Sequence, residues 1–175
     1  MISHPILSDL ARFGVRLGLT RVRGLLAWLG EPHQDYAVVH VAGTNGKGST
    51  TRMIASMLRA GGLRVGEATS PHLQNVNERI VVDGEAIGDA EFGALLEDLD
   101  QVRREWMRAA GVDDVDAEAA LTYFEMTTLA ALVHFSRCEI DVAVVEVGLG
   151  GRLDATNVVD PVVTAIVSIG LDHTE

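Results

Sequence analysis

His40-Val41-Ala42-Gly43-Thr44-Asn45-Gly46-Lys47-Gly48-Ser49-Thr50 is the stretch that decides the fold. A short apolar run rich in Val, from Tyr36 to Ala42, leads into it and reads as a buried strand. Behind it, Ser49 to Ala60 has helical apolar spacing and is closed by Gly61-Gly62. A strand enters, glycines let the backbone bend, and a helix leaves. Backbone N–H groups and the positive helix end can then surround a phosphate, with Lys47 reaching the β- and γ-phosphates. The run departs from the strict phosphate-loop pattern, which has Gly where Val41 stands and Ser or Thr directly after the lysine. Here Gly48 follows Lys47 and Ser49 comes one place late, so the usual magnesium-binding hydroxyl has to come from another residue. A glycine turn joining a strand to a helix is the plainer alternative.

Outward from this loop, strands and helices alternate. Pro5 to Leu17 and Thr20 to Leu29 have helical spacing, and Gly30-Glu31-Pro32 ends the second. Arg64 to Ala68 reads as a strand and Ser70 to Asn77 as a loop. Asp83-Gly84 joins Arg79–Asp83 to Glu85–Ile87 as a hairpin. Asp89 to Ala110 reads as a helix with Asp89 as N-cap, and Thr122 to Ser136 as another. Ile140 to Val147 and Val162 to Ile169 read as buried-type strands. The pattern predicts an α/β fold of phosphate-loop type, a mostly parallel sheet flanked by helices. Ligands in such sheets bind beyond the carboxyl ends of the strands, and the chemistry-bearing residues fall there.

One of them is Glu146, near the exit of the apolar run Asp141 to Val147. A buried carboxylate without a partner is costly, and Mg²⁺ prefers oxygen ligands, so a metal beside the phosphate loop explains it. A salt bridge to Arg152 is the ordinary alternative. The last strand exits into Asp172-His173, and His173 reads as a ligand or phosphate neighbour at the same edge. Pro71 and His72 fit either a plain turn or a loop that closes over substrate.

Composition narrows the function. With 175 residues and 47% hydrophobic side chains, the chain can fill one sizeable core. A net charge of −11 argues against non-specific nucleic-acid binding. No apolar run is long enough to cross a bilayer, and the first residues lack the layout of a secretory signal. The single cysteine, Cys138, reads as an inert, partly buried thiol and fits the cytoplasm. Met53, Met57, Trp106 and Met126 read as packing residues. Ten acidic residues between Asp89 and Glu118 read as a solvated helix face. The basic residues are thirteen arginines and one lysine, and that lysine is Lys47. A compact ammonium fits beneath a phosphate where a guanidinium does not.

Five motifs, in order, carry a resemblance that covers nearly the whole chain. Gly43 to Ser49 with its extra glycine, Ser70-Pro71-His72-Leu73 with Glu78-Arg79-Ile80, Tyr123-Phe124-Glu125 with Thr127, Glu146 to Asn157, and Asp172-His173-Thr174 resemble the folylpolyglutamate/dihydrofolate synthase family of the Mur ligase superfamily. Mur ligases of peptidoglycan synthesis share the loop but are less similar over Gly148 to Asn157. The resemblance implies an ATP-dependent amide ligase that adds L-glutamate to a folate or dihydropteroate carboxylate through an acyl phosphate, with two Mg²⁺ ions. It implies that Asn45, Gly46, Lys47, Gly48 and Ser49 bind the ATP phosphates, and that Ser70, Glu146 and His173 hold magnesium. It further implies that Thr122, Tyr123, Phe124 and Glu125 line the pterin-substrate site together with Leu153, Asp154 and Ala155. Lys47, Glu146 and His173 are then the catalytic candidates. Family members are also longer. They carry a second α/β domain that binds glutamate, and a downstream lysine. Residues 1–175 are thus expected to form an ATP-binding domain cut off at its C-terminal end, inactive alone and a monomer when full length. A peptidoglycan ligase, or a domain that binds nucleotide only to regulate a partner, are the competing functions.

Overall fold

A computed structural model describes residues 4–111 and 120–170. Among these residues, six strands form one sheet: β1 (Ala37–Ala42), β2 (Val65–Ala68), β3 (Ile80–Val82), β4 (Glu85–Ala86), β5 (Val142–Glu146) and β6 (Val163–Ile166), in the order β4-β3-β2-β5-β1-β6. The four strands β2, β5, β1 and β6 run parallel, and the β3–β4 hairpin adds an antiparallel edge. The mostly parallel sheet expected from the sequence is what forms. Five helices cover it: α1 (Pro5–Leu10), α2 (Thr20–Trp28), α3 (Lys47–Ala60), α4 (Asp89–Ala109) and α5 (Tyr123–Arg137).

Strand alternation sorts the core into two layers. Val39, Val41, Val65, Val142 and Val144 point to one face and pack under Ala55 of α3. Val38, Ala143 and Val145 point the other way, into a larger cluster with residues of α1, α2, α4 and α5. α5 lies deepest: Glu125 through Phe135 are all buried. A helix apolar around its circumference needs neighbours on every side, and α1, α2 and α4 supply them. β6 is an edge strand, with Val163 and Ile166 exposed.

Close packing explains Gly66. A Cβ there would stand 2.7 Å from both Phe135 Cδ1 and Ile140 Cδ1. Both side chains are buried, so neither can move aside freely. Gly66→Ala is expected to lose about 1–3 kcal/mol of stability through overpacking, read from the urea midpoint at unchanged m-value.

Several expectations are revised. The first helix stops at Leu10 and a single 3₁₀ turn follows, because Gly14 leaves helical space with φ 61. The N-cap of α4 is Gly88, not Asp89. Asp89 Oδ1 instead accepts from Asn77 Nδ2 at 2.9 Å. The acidic face of α4 is not wholly solvated: Asp100 is buried and accepts from Arg103 Nε at 2.9 Å and from Arg104 Nη2 at 2.6 Å. Asp113, Asp114, Asp116 and Glu118 lie outside the described residues, as do Asp172 and His173.

Candidate active site

The parallel strands end together, and three loops meet beyond them: Gly43–Gly46 after β1, Thr69–Asn75 after β2 and Val147–Asp154 after β5. The first is bent by Gly43 (φ 139) and Gly46 (φ 85), conformations that suit glycine alone. At Gly43 a Cβ would also stand 2.5 Å from Val167 Cγ2. Ser168 clamps the loop: its carbonyl accepts from Thr44 N at 2.7 Å, and its hydroxyl donates to Asn45 O at 2.9 Å. Lys47 is the first residue of α3. The amides of Lys47, Gly48 and Ser49 therefore have no carbonyl one turn back to bond. They face outward with the positive end of a 14-residue helix behind them. Lys47 Nζ donates to Thr44 O at 3.2 Å, folding the ammonium back over the loop.

Even-numbered residues of β5 face α3, so Glu146 comes to rest under the start of that helix. A Cβ on Gly48 would sit 3.4 Å from Glu146 Oε2. The glycine that displaces the usual hydroxyl thus leaves room for the carboxylate. Glu146 is 6% exposed and accepts from the Ser70 amide at 2.9 Å. Burial pushes its carboxyl above the ordinary range, although the Ser70 amide, Lys47, Arg52 and Arg79 all act to hold it down. A carboxylate that remains hard to ionise among three cations is one whose charge the protein alone does not satisfy. Together with the hydroxyl of the adjoining residue Ser70, this carboxylate is an oxygen donor set of the kind that suits a hard divalent cation.

Lys47 stands between two clefts. One, with a cavity volume of about 340 Å³, is lined by Gly43, Thr44, Gly150, Ile166 and Gly170. The other, of about 420 Å³, is lined by Leu17, Ser70, Arg79, Tyr123, Phe124, Leu153 and their neighbours. Lys47, Gly148 and Leu149 belong to both. The first offers backbone and glycine, the second a predominantly apolar wall with a few polar groups, as small-molecule sites do. Thr122, Asp154 and Ala155 also border the second cleft.

Two of the residues expected to line the substrate site have carboxylates engaged within the frame. Glu125 is 1% exposed, and its carboxylate accepts from Thr122 N at 2.7 Å and Arg21 Nε at 3.0 Å. Thr122 Oγ1 in return accepts from Glu125 N at 3.2 Å, completing a capping box at the start of α5. Glu125 so pins α2 to α5 and presents Tyr123 and Phe124 to the cleft. Glu125→Gln keeps the cap acceptor but weakens the partner of Arg21. A loss of about 1–2 kcal/mol is expected, and a cycle with Arg21→Ala should be non-additive. Additive losses would mean that the pair is idle. The Asp154 carboxylate is likewise occupied: it accepts from Leu149 N at 2.7 Å, Thr156 N at 2.9 Å and Thr156 Oγ1 at 2.6 Å. Thr156 Oγ1 in turn contacts buried His40 Nε2 at 2.9 Å. This network shapes the Gly148–Thr156 loop.

Arg79 has no role assigned from sequence, yet it borders the larger cleft. Its guanidinium lies 5.2 Å from the centre of the Tyr123 ring, and its Nε donates to His72 Nδ1 at 2.9 Å. His72 is thereby tied down. The turn that follows it, just ahead of Arg79, is closed by Glu78, whose carboxylate accepts from the amides of Leu73, Gln74 and Asn75. In the sequence Arg79 is marked by its place in the Glu78-Arg79-Ile80 motif, which by itself gives it no role.

No family model matches the chain. Its relatives are informative. It is 49% identical over 170 residues to a probable bifunctional folylpolyglutamate synthase/dihydropteroate synthase of Halobacterium salinarum, covering 97% of this chain and 20% of that protein. It is 42% identical over 161 residues to the dihydrofolate synthase/folylpolyglutamate synthase of Escherichia coli, covering 92% of this chain and 35% of that protein. Among solved structures, the Mycobacterium tuberculosis folylpolyglutamate synthase complexed with ADP and AMPPCP superposes with a TM-score of 0.85 at 38% identity. That match covers 97% of this chain and 37% of the other. The Escherichia coli FolC in complex with DHPP and ADP gives 0.83 at 41% identity, over 97% of this chain and 39% of the other. The chain therefore spans a fifth to two fifths of these relatives.

Proposed function

We propose that this chain, whose relatives are folylpolyglutamate and dihydrofolate synthases, is the nucleotide-binding part of an ATP-dependent ligase that joins L-glutamate to a folate or dihydropteroate carboxylate. The placement of Lys47 supports this reading best, because the one lysine of the chain borders both clefts. The smaller takes the ATP phosphates and the larger takes the acid.

In this reading the substrate carboxylate attacks the γ-phosphorus, ADP leaves, and an acyl phosphate forms. The glutamate amine then attacks the acyl carbon, phosphate leaves and a proton is lost, giving the amide. Transfer of this kind depends on positioning and charge neutralisation more than on covalent help. Asn45 to Ser49 hold the phosphates by their backbone, and Lys47 supplies positive charge between the reacting ends. Ser70 and Glu146 are the residues that would hold Mg²⁺, which neutralises phosphate charge when bound. His173, expected at a second magnesium, joins them only as an inference from its motif. Tyr123, Phe124, Leu153 and Ala155 wall the cleft in which a flat pterin ring would lie. Arg79 adds a cation for an anionic part of the acid.

The test is direct. Protein containing this chain is given Mg-ATP, labelled glutamate and either dihydropteroate or a nucleotide-linked peptide precursor. Glutamate incorporation and ADP release with the first and not the second support the reading. Incorporation only with the second would replace it by a peptidoglycan ligase.

A further inference from the structure

Among the described residues, the clefts leave one group of ligating side chains unused. At the end of α5, His134 and the C-cap residue Cys138 stand four residues apart and so share a helix face. Glu91, in the first turn of α4, completes a triangle with them, and the three ligand atoms all lie within 4.8 Å of one another. His134 Nδ1 is 3.6 Å from Glu91 Oε1, and Cys138 Sγ lies 3.8 Å from Nδ1 and 3.5 Å from Nε2. The imidazole is buried, the thiol half-buried and the carboxylate exposed. Ten residues of helix, about 15 Å, separate His134 from Phe124 in the cleft, so this cluster is independent of the proposed ligase site.

We propose that Glu91, His134 and Cys138 form a zinc site with three protein ligands and one position left for water. Zinc bonds of about 2.0 Å to nitrogen and oxygen and about 2.3 Å to sulfur, at tetrahedral angles, put ligand atoms roughly 3.3–3.6 Å apart. Two of the observed separations, 3.6 and 3.8 Å, lie within a few tenths of an ångström of these values, and the third is under 4.8 Å, so closure needs a turn of the His134 ring and a movement of the exposed Glu91 side chain. Charge balances as well, because one carboxylate and one thiolate cancel a divalent cation while the imidazole binds neutral. The thiol gives its proton to solvent on binding.

The neighbouring cations can give way, the metal displacing Arg64 from its hydrogen bond with the Cys138 thiol. Arg64, beside the thiol, is about half exposed and reaches toward Asp83 at 3.8 Å. Arg137 pairs with Asp98 at 3.1 Å. A set of one sulfur, one nitrogen and one oxygen suits zinc and rejects magnesium, which keeps to oxygen. The ion would therefore not compete with Mg-nucleotide. Its effect would be to clip the beginning of α4 to the end of α5, two helices that pack against each other.

Cobalt(II) is the probe. Cys138 is the only cysteine in the chain, so a thiolate-to-cobalt charge-transfer band reports this site alone. Titration of the reduced 175-residue chain is expected to give that band at one equivalent, unchanged by excess Mg²⁺ and abolished by equimolar Zn²⁺. Glu91→Gln is expected to weaken cobalt binding about tenfold or more, and Zn²⁺ to raise the Tm of the unaltered chain but not of Cys138→Ser. Glu91 is exposed, so its variant leaves the fold intact even if His134→Ala does not. Absence of the band at saturating cobalt overturns the site. So does a band of unchanged affinity in Glu91→Gln, which would mark an isolated thiol picking up metal by itself.

Discussion

Lys47→Ala is expected to leave the domain folded and to weaken binding of Mg-ATP analogues roughly ten- to a hundredfold, the worth of a charge-assisted hydrogen bond of about 1.5–3 kcal/mol. The fold should survive for local reasons. Alanine is the best helix former at the first position of α3, and the loop is shaped by Gly43, Gly46 and the Ser168 clamp rather than by the lysine. The one hydrogen bond lost in the free protein is that to Thr44 O. In the proposed function the ammonium serves the outer phosphates, so the loss should be larger for a triphosphate analogue than for ADP. Calorimetric titration of both nucleotides separates the cases. Lys47→Arg should not restore binding, because a planar guanidinium does not fit where a compact ammonium does. Equal affinities in the original and Lys47→Ala chains would remove the phosphate from this loop and the proposed function with it.

What the sequence discloses, and what it hides, follows from the range of the interactions involved. β1, the glycine bend and α3 are legible because strand period, breaker residues and helix period are local signals, and all three succeed one another within two dozen residues. The hairpin was readable for the same reason: Asp83 and Gly84 both take positive φ, as an Asp-Gly turn requires. Glu146 could be picked out as a carboxylate ending an apolar strand. Its place beneath Gly48 could not, since that depends on which face of β5 meets α3. Glu125 shows the limit best. Its partner Arg21 lies 104 positions away, so nothing nearby reveals that its carboxylate is already engaged. Asp100 reads as solvated because its charge is visible while the folding of Arg103 and Arg104 over it is not. Arg79 acquires meaning only when β3 brings it beside Tyr123, a contact between segments that form separate motifs.

Glu146→Gln should separate the cost of this site from its use. Its carboxyl is raised by burial in the folded chain, so the folded state holds its proton to higher pH than the unfolded state does. Between the ordinary carboxylate range and that raised value, the folded protein binds more protons, and stability must fall as pH rises. Above the raised value the whole penalty of a buried anion is present. Below the ordinary range it is absent. Glutamine matches the shape without the charge and keeps an oxygen for the Ser70 amide. In chelator at pH 7 the variant is therefore expected to melt higher than the original chain, and the difference should shrink as the pH is lowered toward 4. Added Mg²⁺ with nucleotide should reverse the order. A cation site tuned by ligand charge should lose about a hundredfold in metal affinity when its one carboxylate is neutralised. Ligand at a hundred times its dissociation constant stabilises by about 2.7 kcal/mol, and only the original chain would receive it. Melting curves in the four combinations of variant and metal decide the matter. A variant that melts lower in chelator would mean that Glu146 is a structural anchor, held by Ser70 and its neighbouring cations. A variant that keeps its magnesium-dependent gain would mean that the metal sits elsewhere.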